Sequence, residues 1–513
     1  MADEEVRPDL LELARRRDLL TDAARPEAVR RRHDAGRRTA RENLDDLIDA
    51  GSWVEYGGFA IAGQRSRRDP EELQRATPAD GLVAGLGRVA GQRCAALSYD
   101  YTVLAGTQGL TGHRKADRLF EVVERLRLPV VFFTEGGGGR PGDTDYPVVG
   151  GLDLMSFALW ARLSGVVPRV GVASGLCFAG NAALFGMCDI TIATEGSSIG
   201  MGGPAMIEGG GLGTVAPGDV GPSAVQVANG VVDVLVADDA AAVAAAKQAL
   251  SYFGGPQEQW AAPDQRLLRD VVPLNRREAY DVRRVVELLA DTGSLLELRP
   301  AFAPGMVTAL ARIEGHPLGV IANSSRHMAG AITSDGADKA ARFLQLCDAF
   351  GLPVLSLCDT PGIMVGPDAE KTALVRHAAR LFVAGANLRV PFVTVVLRKG
   401  YGLGAMAMAG GSFHVPLATV AWSMAEVGGM GLEGAVRLGF RKELAAIDDE
   451  TERTAAYERL VAAAYQQGRA LSAATYYEVD DVIDPAETRS WVRATLFGAP
   501  PTAGRQRRLV DTW

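Results

Sequence analysis

Residues 127–143, RLPVVFFTEGGGGRPGD, and residues 351–366, GLPVLSLCDTPGIMVG, follow the same order of residue types. In each stretch a proline enters an apolar run that ends six residues later in an acid, Glu135 or Asp359, and a glycine-rich turn follows. A short apolar run bounded by turn residues predicts a buried β-strand. The acid and its turn therefore mark the end of a strand in both copies.

A second pair of matching stretches follows about forty residues after the first. These are VVPRVGVASGLCFAGNAAL at 166–184 and RVPFVTVVLRKGYGLGAMAM at 389–408. Counted from the central proline of each, the twelfth and thirteenth residues are the pairs Gly180–Asn181 and Leu403–Gly404. The offset between copies is 224 residues for the first pair of stretches and 223 for the second.

This self-similarity predicts two related domains in tandem, with cores around 85–255 and 305–485. Each copy alternates apolar strands with stretches of helical periodicity, HRKADRLFEVVERLR and DKAARFLQLCDAFG, which is typical of an α/β fold. The stretches at 217–230 and 254–265 are expected to be loops, and the second is the expected domain boundary. The domains are accordingly assigned to residues 1–265 and 275–513.

Composition sets limits on function. The net charge of −8 and pI near 5.5 argue against a nucleic-acid surface as the main function. The arginine-dense N-terminal stretches alternate with acids and leucines, which predicts helices with solvated charged faces. Without a signal-peptide pattern or an apolar stretch of membrane-spanning length, the expected location is the cytoplasm.

The sequence favours neither a metal site nor a side-chain nucleophile. The cysteines form no CxxC pair and lie in apolar runs, so they are expected to be buried reduced thiols: Cys94, Cys177, Cys188, Cys347 and Cys358. There is no HExxH motif, and no GK[ST] follows the glycine turn at 136–143, so neither a zinc-protease site nor a P-loop is predicted. His327, in NSSRHMAG, is expected to be structural.

The glycine turns suggest chemistry carried by the main chain. A small-residue turn that enters a helix leaves backbone N–H groups unpaired, and a ligand oxygen can approach them closely. Such donors bind phosphate or stabilise an oxyanion that develops during reaction. A lone glycine-rich turn is more often an ordinary loop, but here two turns recur at matched positions.

Several longer strings carry a family resemblance. In order along the chain they are RTARENLDDLIDAGSWVE, ADGLVAGLGRVAGQ, DDAAAVAAAKQALSYF, AFAPGMVTALARIEGHPLGVIAN, DKAARFLQLCDAFGLPVL, DTPGIMVG, RKGYGLGAM and MGLEGAV. With these strings the chain resembles, nearly end to end, the carboxyltransferase (β) subunits of biotin-dependent acyl-CoA carboxylases, such as the propionyl-, acetyl- and methylcrotonyl-CoA enzymes. The family's subunit has two crotonase-like domains of the ClpP/crotonase superfamily.

The resemblance implies a mechanism. A carboxylated biotin on a separate carrier protein delivers CO2 to the α-carbon of an acyl-CoA, and an enolate-like charge develops on each reactant. The resemblance assigns the N–H groups of Gly180 and Asn181 to the thioester oxygen, in the acyl-CoA-side domain. It assigns those of Leu403 and Gly404 to the biotin oxygen, in the biotin-side domain.

The resemblance also implies a set of substrate-binding residues: Gly136, Gly137, Gly138, Gly139, Arg140, Tyr401 and Met406. Several positions depart from the family pattern. The turn at 136–139 is all glycine, Asn181 and Leu403 stand where the family has glycine, and Met406 stands where propionyl-type enzymes often carry an acid. The acyl pocket is therefore expected to be altered.

Partners follow from what the sequence lacks. It has no Ala-Met-Lys-Met biotin-acceptor motif, no ATP-binding biotin carboxylase region and no four-cysteine zinc ribbon. A partner (α) subunit with a biotin carrier and biotin carboxylase is expected, within a hexamer in which active sites form between subunits. No metal, nucleic acid or membrane partner is expected.

Two other functions stay open at this stage. One is the carboxyltransferase subunit of a biotin-dependent acyl-CoA decarboxylase, which uses the same site in reverse. The other is a non-catalytic assembly paralogue, suggested by the departures at Asn181, Leu403 and Met406. A hydratase- or isomerase-like crotonase is disfavoured, because no pair of glutamates lies near the first hole.

Overall fold

The computed structural model describes residues 7–145, 151–497 and 508–513. It forms two compact units divided between Gly254 and Gly255, within the stretch 254–265. Each unit is a mixed α/β domain built on one large sheet.

The first unit has ten α-helices and nine strands among its described residues. The helices are α1 Pro8–Asp18, α2 Pro26–Asp34, α3 Ala40–Leu47, α4 Pro70–Ala76, α5 Leu110–Leu126, α6 Ser156–Arg162, α7 Gly180–Gly186, α8 Pro204–Gly209, α9 Ser223–Ala228 and α10 Asp239–Ser251. The strands are β1 Val54–Glu55, β2 Leu82–Val89, β3 Gln92–Tyr99, β4 Val130–Phe133, β5 Arg169–Ala173, β6 Leu176–Phe178, β7 Ile190–Thr194, β8 Ser198–Gly200 and β9 Val234–Val236.

The second unit likewise has ten α-helices, and eight strands, in the part that the structure describes. The helices are α11 Val282–Leu289, α12 Ser334–Phe350, α13 Pro367–Glu370, α14 Leu374–Ala386, α15 Gly402–Met408, α16 Leu432–Gly439, α17 Arg441–Ala445, α18 Glu450–Gln467, α19 Ala470–Thr475 and α20 Thr488–Leu496. The strands are β10 Leu296–Leu298, β11 Met306–Ile313, β12 His316–Asn323, β13 Val354–Thr360, β14 Phe392–Tyr401, β15 Ala418–Trp422, β16 Glu426–Gly428 and β17 Asp481–Ile483.

The two sheets have the same topology. The orders are β1-β2-β3-β4-β5-β7-β9 and β10-β11-β12-β13-β14-β15-β17, each with three antiparallel strands first and parallel strands after them. The other strands, β6 with β8 and β16 with β14, pair in parallel beside the large sheets. The repeat predicted from the sequence is therefore present in the topology.

Turns with positive φ recur in the two domains, 224 residues apart. The β2–β3 and β11–β12 hairpins turn through Ala90–Gly91 and Glu314–Gly315, and all four residues have positive φ. Two-residue turns of this kind match the twist of paired strands. A left-handed turn recurs at 104–106 and 328–330, where every residue has positive φ. Both turns end in glycine, at Gly106 and Gly330.

Each sheet packs its helices over an apolar core. In the first unit Trp160 is fully buried beside Phe120 and Phe132, and its indole N–H donates to the Leu184 carbonyl at 2.9 Å. In the second, Trp422 is fully buried and donates to Thr488 Oγ1 at 3.0 Å. A polar partner for each indole removes the cost of burying its N–H.

Two sequence expectations were wrong. The stretch 217–230, expected to be a loop, contains helix α9. The N-terminal arginine stretches were expected to be solvated, which is wrong for Arg32, whose largely buried side chain pairs with Glu135 at 2.7 Å. Periodicity along a helix does not reveal a carboxylate that lies about 100 residues away in the chain. All five cysteines are buried and unpaired, as predicted.

Candidate functional site

The glycine turn of the first domain is held against the strand that leads into α7. Gly136 N–H donates to the Leu176 carbonyl at 2.7 Å, and Phe178 N–H donates to the Gly136 carbonyl at 2.9 Å. These two bonds place the turn beside β6. The residues that follow β6 are the predicted pair Gly180–Asn181.

Two main-chain amides at the start of α7 have no acceptor within the described residues. Gly180 and Asn181 are the first two residues of the helix, where an N–H has no intrahelical partner. Ala179 precedes them with φ 49° and ψ −120°, an uncommon conformation for alanine. The chain is thus bent so that two successive donors remain unsatisfied.

Gln108 contacts both the glycine turn, through its backbone, and Gly180, through its side chain. Its N–H donates to the Gly138 carbonyl at 2.7 Å, and its own carbonyl accepts from Arg140 N–H at 2.9 Å. A Cβ atom built on Gly180 would overlap Gln108 Oε1. A side chain at residue 180 would therefore displace that of Gln108, a residue that sequence analysis did not identify.

The Arg140 side chain is buried and already has partners. Its guanidinium is ion-paired with Asp80, and it donates to Thr107 Oγ1 at 3.2 Å and to the Thr107 carbonyl at 2.9 Å. Burial raises the pKa of Asp80, and Arg140 opposes that shift. The guanidinium donors of Arg140 are turned into the protein, and the assignment of Arg140 to substrate binding stays a prediction.

Glu135 is buried at the end of β4, directly before the turn. The Arg32 guanidinium donates a hydrogen bond to each carboxylate oxygen of Glu135, at 3.0 and 2.7 Å. Burial raises the pKa of Glu135 to about 7, against the lowering effect of Arg32. The sequence pattern identifies Glu135 as the acid at the end of the apolar run, but it does not identify Arg32 as the partner of Glu135.

The second domain repeats the local arrangement. Ile332 N–H donates to the Gly362 carbonyl at 3.0 Å and Met364 N–H donates to the Ile332 carbonyl at 2.9 Å. These are the counterparts, 224 residues later, of the bonds around Gln108. The turn after Asp359 is therefore placed like the turn after Glu135.

The start of α15 also presents two free amides. Leu403 and Gly404 follow Gly402, which has φ 56°, and neither N–H has an acceptor in the described part of the chain. The Leu403 side chain is 61% exposed, whereas Gly404 is buried. A Cβ atom on Gly404 would lie 2.5 Å from the carbonyl carbon of Gly362, so the two glycine backbones are in direct contact.

A cavity of about 470 Å³ in the second domain is lined by Gly402 and Ala405, the residues on either side of Leu403 and Gly404. Its walls are mainly apolar or glycine and include Gly402, Met406, Phe413, Val427, Gly429 and Leu432. This volume is within the range of roughly 300 to 1,000 Å³ that is usual for small-ligand sites. Met406, at 39% exposure, lies on its rim.

Tyr401 lies directly before α15 but its side chain is buried. Its hydroxyl donates to Glu426 Oε2 at 2.9 Å, and Glu426 pairs with Arg276 at 3.1 Å. Burial and the Glu426 carboxylate raise the pKa of Tyr401. The hydroxyl is thus occupied within the protein, and the assignment of Tyr401 to substrate binding stays a prediction.

The arrangement suits stabilisation of negative oxygens by main-chain donors. In each domain two unpaired amides lie beside a glycine turn. Within residues 7–145, 151–497 and 508–513 there is no group of three or more histidine, cysteine or acidic residues placed to hold a metal ion. No helix in those same ranges is long and apolar enough to cross a membrane.

The two α/β domains are the crotonase-like duplication expected from the sequence, as the matches to solved carboxyltransferase structures show. Residues 31–496 match the family described as the carboxyl transferase domain. The chain belongs to this family, which supplies the carboxyltransferase component of biotin-dependent acyl-CoA carboxylases.

Individual relatives agree with this assignment. The chain is 33% identical over 504 residues to the methylmalonyl-CoA carboxyltransferase 12S subunit of Propionibacterium freudenreichii subsp. shermanii, covering 94% of this chain and 93% of that one. A hexameric structure of transcarboxylase 12S with methylmalonyl-CoA and methylmalonic acid bound superposes with a TM-score of 0.84 at 31% identity, over 97% of both chains.

A third relative is more similar in sequence. It is a single-chain, multi-domain long-chain acyl-CoA carboxylase, whose structure matches with a TM-score of 0.90 at 59% identity. The match covers 95% of this chain and 49% of that protein, so this chain spans about half of its length.

Proposed function

We propose that the chain transfers a carboxyl group from carboxybiotin on a carrier protein to the α-carbon of an acyl-CoA, whose α-proton passes to the biotin ureido group as the N–carboxyl bond breaks. The observation that carries this proposal is a pair of amides, without an acceptor among the residues that the structure describes, at corresponding positions in both domains of a carboxyl transferase chain. Each reactant becomes an enolate-like anion during transfer, and each anion needs its own donors.

In the first domain the amides of Gly180 and Asn181 donate to the thioester oxygen. They replace water as hydrogen-bond donors and are already oriented, so little reorganisation is needed as charge develops. Gly136–Gly139 line the approach to these donors. Arg140 and Gln108 contribute by fixing that turn, since Arg140 is tied to Asp80 and Gln108 to Gly138.

In the second domain the amides of Leu403 and Gly404 donate to the ureido oxygen of biotin, which supplies the activated carboxyl group. The cavity lined by Gly402 and Ala405 supports this placement through its size and its mainly apolar walls. The leucine at 403 keeps its N–H and directs its side chain outward, so this departure from glycine leaves the donor in place.

We propose that the substrate belongs to the long-chain acyl-CoA class. The 59% identity to a long-chain acyl-CoA carboxylase supports this choice. The assembly is proposed to be a hexamer, as in transcarboxylase 12S, with biotin carrier and biotin carboxylase functions on a partner protein.

Reconstitution tests this function directly. The purified chain is combined with a biotinylated carboxylase partner, ATP and labelled bicarbonate, and offered acetyl-, propionyl-, butyryl-, methylcrotonyl- and palmitoyl-CoA in parallel. Label in palmitoyl-CoA in preference to the short substrates is the expected result. Label in a short substrate only would overturn the substrate class, and label in none would favour the non-catalytic paralogue.

A further inference from the structure

In the turns that follow Glu135 and Asp359, the N–H of the third residue, Gly138 or Gly362, donates to a different kind of acceptor in each domain. In the second domain Gly362 N–H donates to Thr360 Oγ1, two residues earlier, at 3.1 Å. The corresponding positions in the first domain are Gly138 and Gly136. Glycine at 136 offers no oxygen, and Gly138 N–H instead donates to Asn181 Oδ1 at 3.0 Å.

The carboxamide of Asn181 joins three segments. Its oxygen binds Gly138 in the glycine turn, and its nitrogen donates to the Gly106 carbonyl of the left-handed turn at 3.3 Å. Its backbone belongs to the start of α7, where one of the two proposed donors lies. The side chain has no solvent exposure, so it does not contact a ligand in the open site.

The glycine at 136 makes room for this side chain. A Cβ atom built there would overlap both Asn181 Nδ2 and the Gly106 carbonyl oxygen. The second domain has the opposite pairing, with a side chain at Thr360 and none at Gly404, and there Gly404 packs on the Gly362 backbone. The residue pairs Gly136–Asn181 and Thr360–Gly404 are therefore alternative ways to hold the same turn.

We infer that the Asn181 carboxamide is a positioning group for the first hole, which fixes the glycine turn and the left-handed turn relative to the Gly180 and Asn181 amides. This inference rests on the proposed function and adds to it. It gives a physical role to the asparagine that stands at 181 in place of the family's glycine. Asn181 supplies the acceptor for the Gly138 amide, as Thr360 does for the Gly362 amide in the second domain.

Two substitutions test the role. Asn181→Ala keeps the backbone donor and removes both side-chain bonds, so kcat should fall about 10- to 100-fold from misplacement of the donors. The KM for acyl-CoA should stay within about threefold, because the removed atoms do not touch the substrate. A purely structural role would instead lower the amount of folded enzyme without changing kcat per folded site.

Asn181→Asp supplies a pH signature. The carboxylate still accepts from Gly138 but cannot donate to Gly106, and its charge opposes an anion forming nearby. Burial raises the pKa of such an acid, so the protonated form, which can donate again, is regained as the pH falls. The activity of Asn181→Asp relative to the wild type should therefore rise towards low pH.

Hydrogen exchange gives a readout that does not depend on activity. The Gly138 amide should exchange at least about tenfold faster in Asn181→Ala than in the wild type, because its acceptor is gone. Asn43→Ala is a matched control, since Asn43 is also a buried asparagine of this domain but lies on α3. It should leave both kcat and Gly138 exchange unchanged.

The outcomes separate the two proposals. A wild-type chain that transfers no label to any acyl-CoA defeats the proposed function itself. A wild-type chain that is active, together with folded Asn181→Ala and Asn181→Asp variants of unchanged kcat, pH profile and Gly138 exchange, overturns the positioning role of Asn181 alone.

Discussion

Glu135 and Asp359 end corresponding strands of the two domains, yet their cations come from different parts of the chain. Asp359 pairs with Arg398 of its own sheet at 3.1 Å, whereas Glu135 pairs with Arg32 of the N-terminal helix α2. The residue that corresponds to Arg398 is Gly175, and a Cβ there would overlap the Glu135 carboxylate. The first domain therefore uses a cation from outside the repeated unit to neutralise its buried acid.

This burial predicts a pH dependence of stability. The pKa of Glu135 is raised from 4.5 to about 7, so the folded state binds the proton more tightly than the unfolded state. The contribution of Glu135 to the free energy of unfolding should therefore decrease by about 3 kcal/mol as the pH rises from about 4.5 to about 7. Glu135→Gln should flatten this part of the profile, measured as the thermal midpoint against pH. Parallel profiles for the two proteins would contradict the burial argument.

Arg140 offers a second test, because its buried guanidinium is paired with the buried Asp80 carboxylate. Arg140→Ala leaves the buried Asp80 without a cation, and loss of one partner of such a pair costs about 3 to 5 kcal/mol. Denaturant unfolding should show this loss. Arg68→Ala is the control, since Arg68 pairs with Glu72 at the surface and should cost less than about 1 kcal/mol. A raised KM for acyl-CoA at unchanged stability would instead indicate a direct substrate contact.

The sequence was informative where the pattern is local. A proline, an apolar run, an acid and a glycine turn follow one another within seventeen residues, and the structure places β4 and β13 on those runs. The helices at 113–127 and 338–351 correspond to α5 and α12, because amphipathic periodicity is also a local signal.

Contacts between distant segments could not be predicted in the same way. Lys115 and Lys339 lie 224 residues apart and are both buried. The Lys115 ammonium donates to the main-chain carbonyls of Gly57 and Leu82. The Lys339 ammonium donates to those of Arg299 and Phe302. The pKa of Lys115 is lowered to about 8 by burial. A lysine on a helix is usually solvated, so only its recurrence at the same position of both repeats could have marked it.

Side-chain contacts between distant segments of the site could not be predicted from the sequence either. The glycine turns and the pairs at 180–181 and 403–404 were found by counting from prolines, but counting gave no information on side-chain partners. Gln108 and the carboxamide of Asn181 became visible only when the left-handed turn at 104–106 was seen beside the glycine turn.

Leu403 separates the role of a main-chain donor from that of its side chain. Leu403→Ala keeps the N–H and removes only exposed atoms, so kcat should change by less than about twofold. Leu403→Pro removes the N–H at the second position of α15, where a proline ring fits a helix, and kcat should fall about 10²- to 10³-fold. Labelled carboxyl transfer is measured with circular dichroism and oligomeric state as folding controls. Equal activity of the two folded variants would exclude the Leu403 N–H as a donor.

Gly404 tests the geometry of the second hole without removal of a donor. Gly404→Ala keeps its N–H but places a Cβ 2.5 Å from the Gly362 carbonyl carbon, so either the turn after Asp359 or the start of α15 must move. A displacement near 1 Å at a positioned donor costs about 100-fold in rate, and kcat should fall by about that factor. Gly439→Ala is the matched control, because a Cβ at the end of α16 meets no heavy atom within 4 Å. It should retain full activity and lose no stability. If folded Gly404→Ala transfers label as fast as Gly439→Ala, close contact between the two glycine backbones is not required, and the proposed placement of the second pair of donors is wrong.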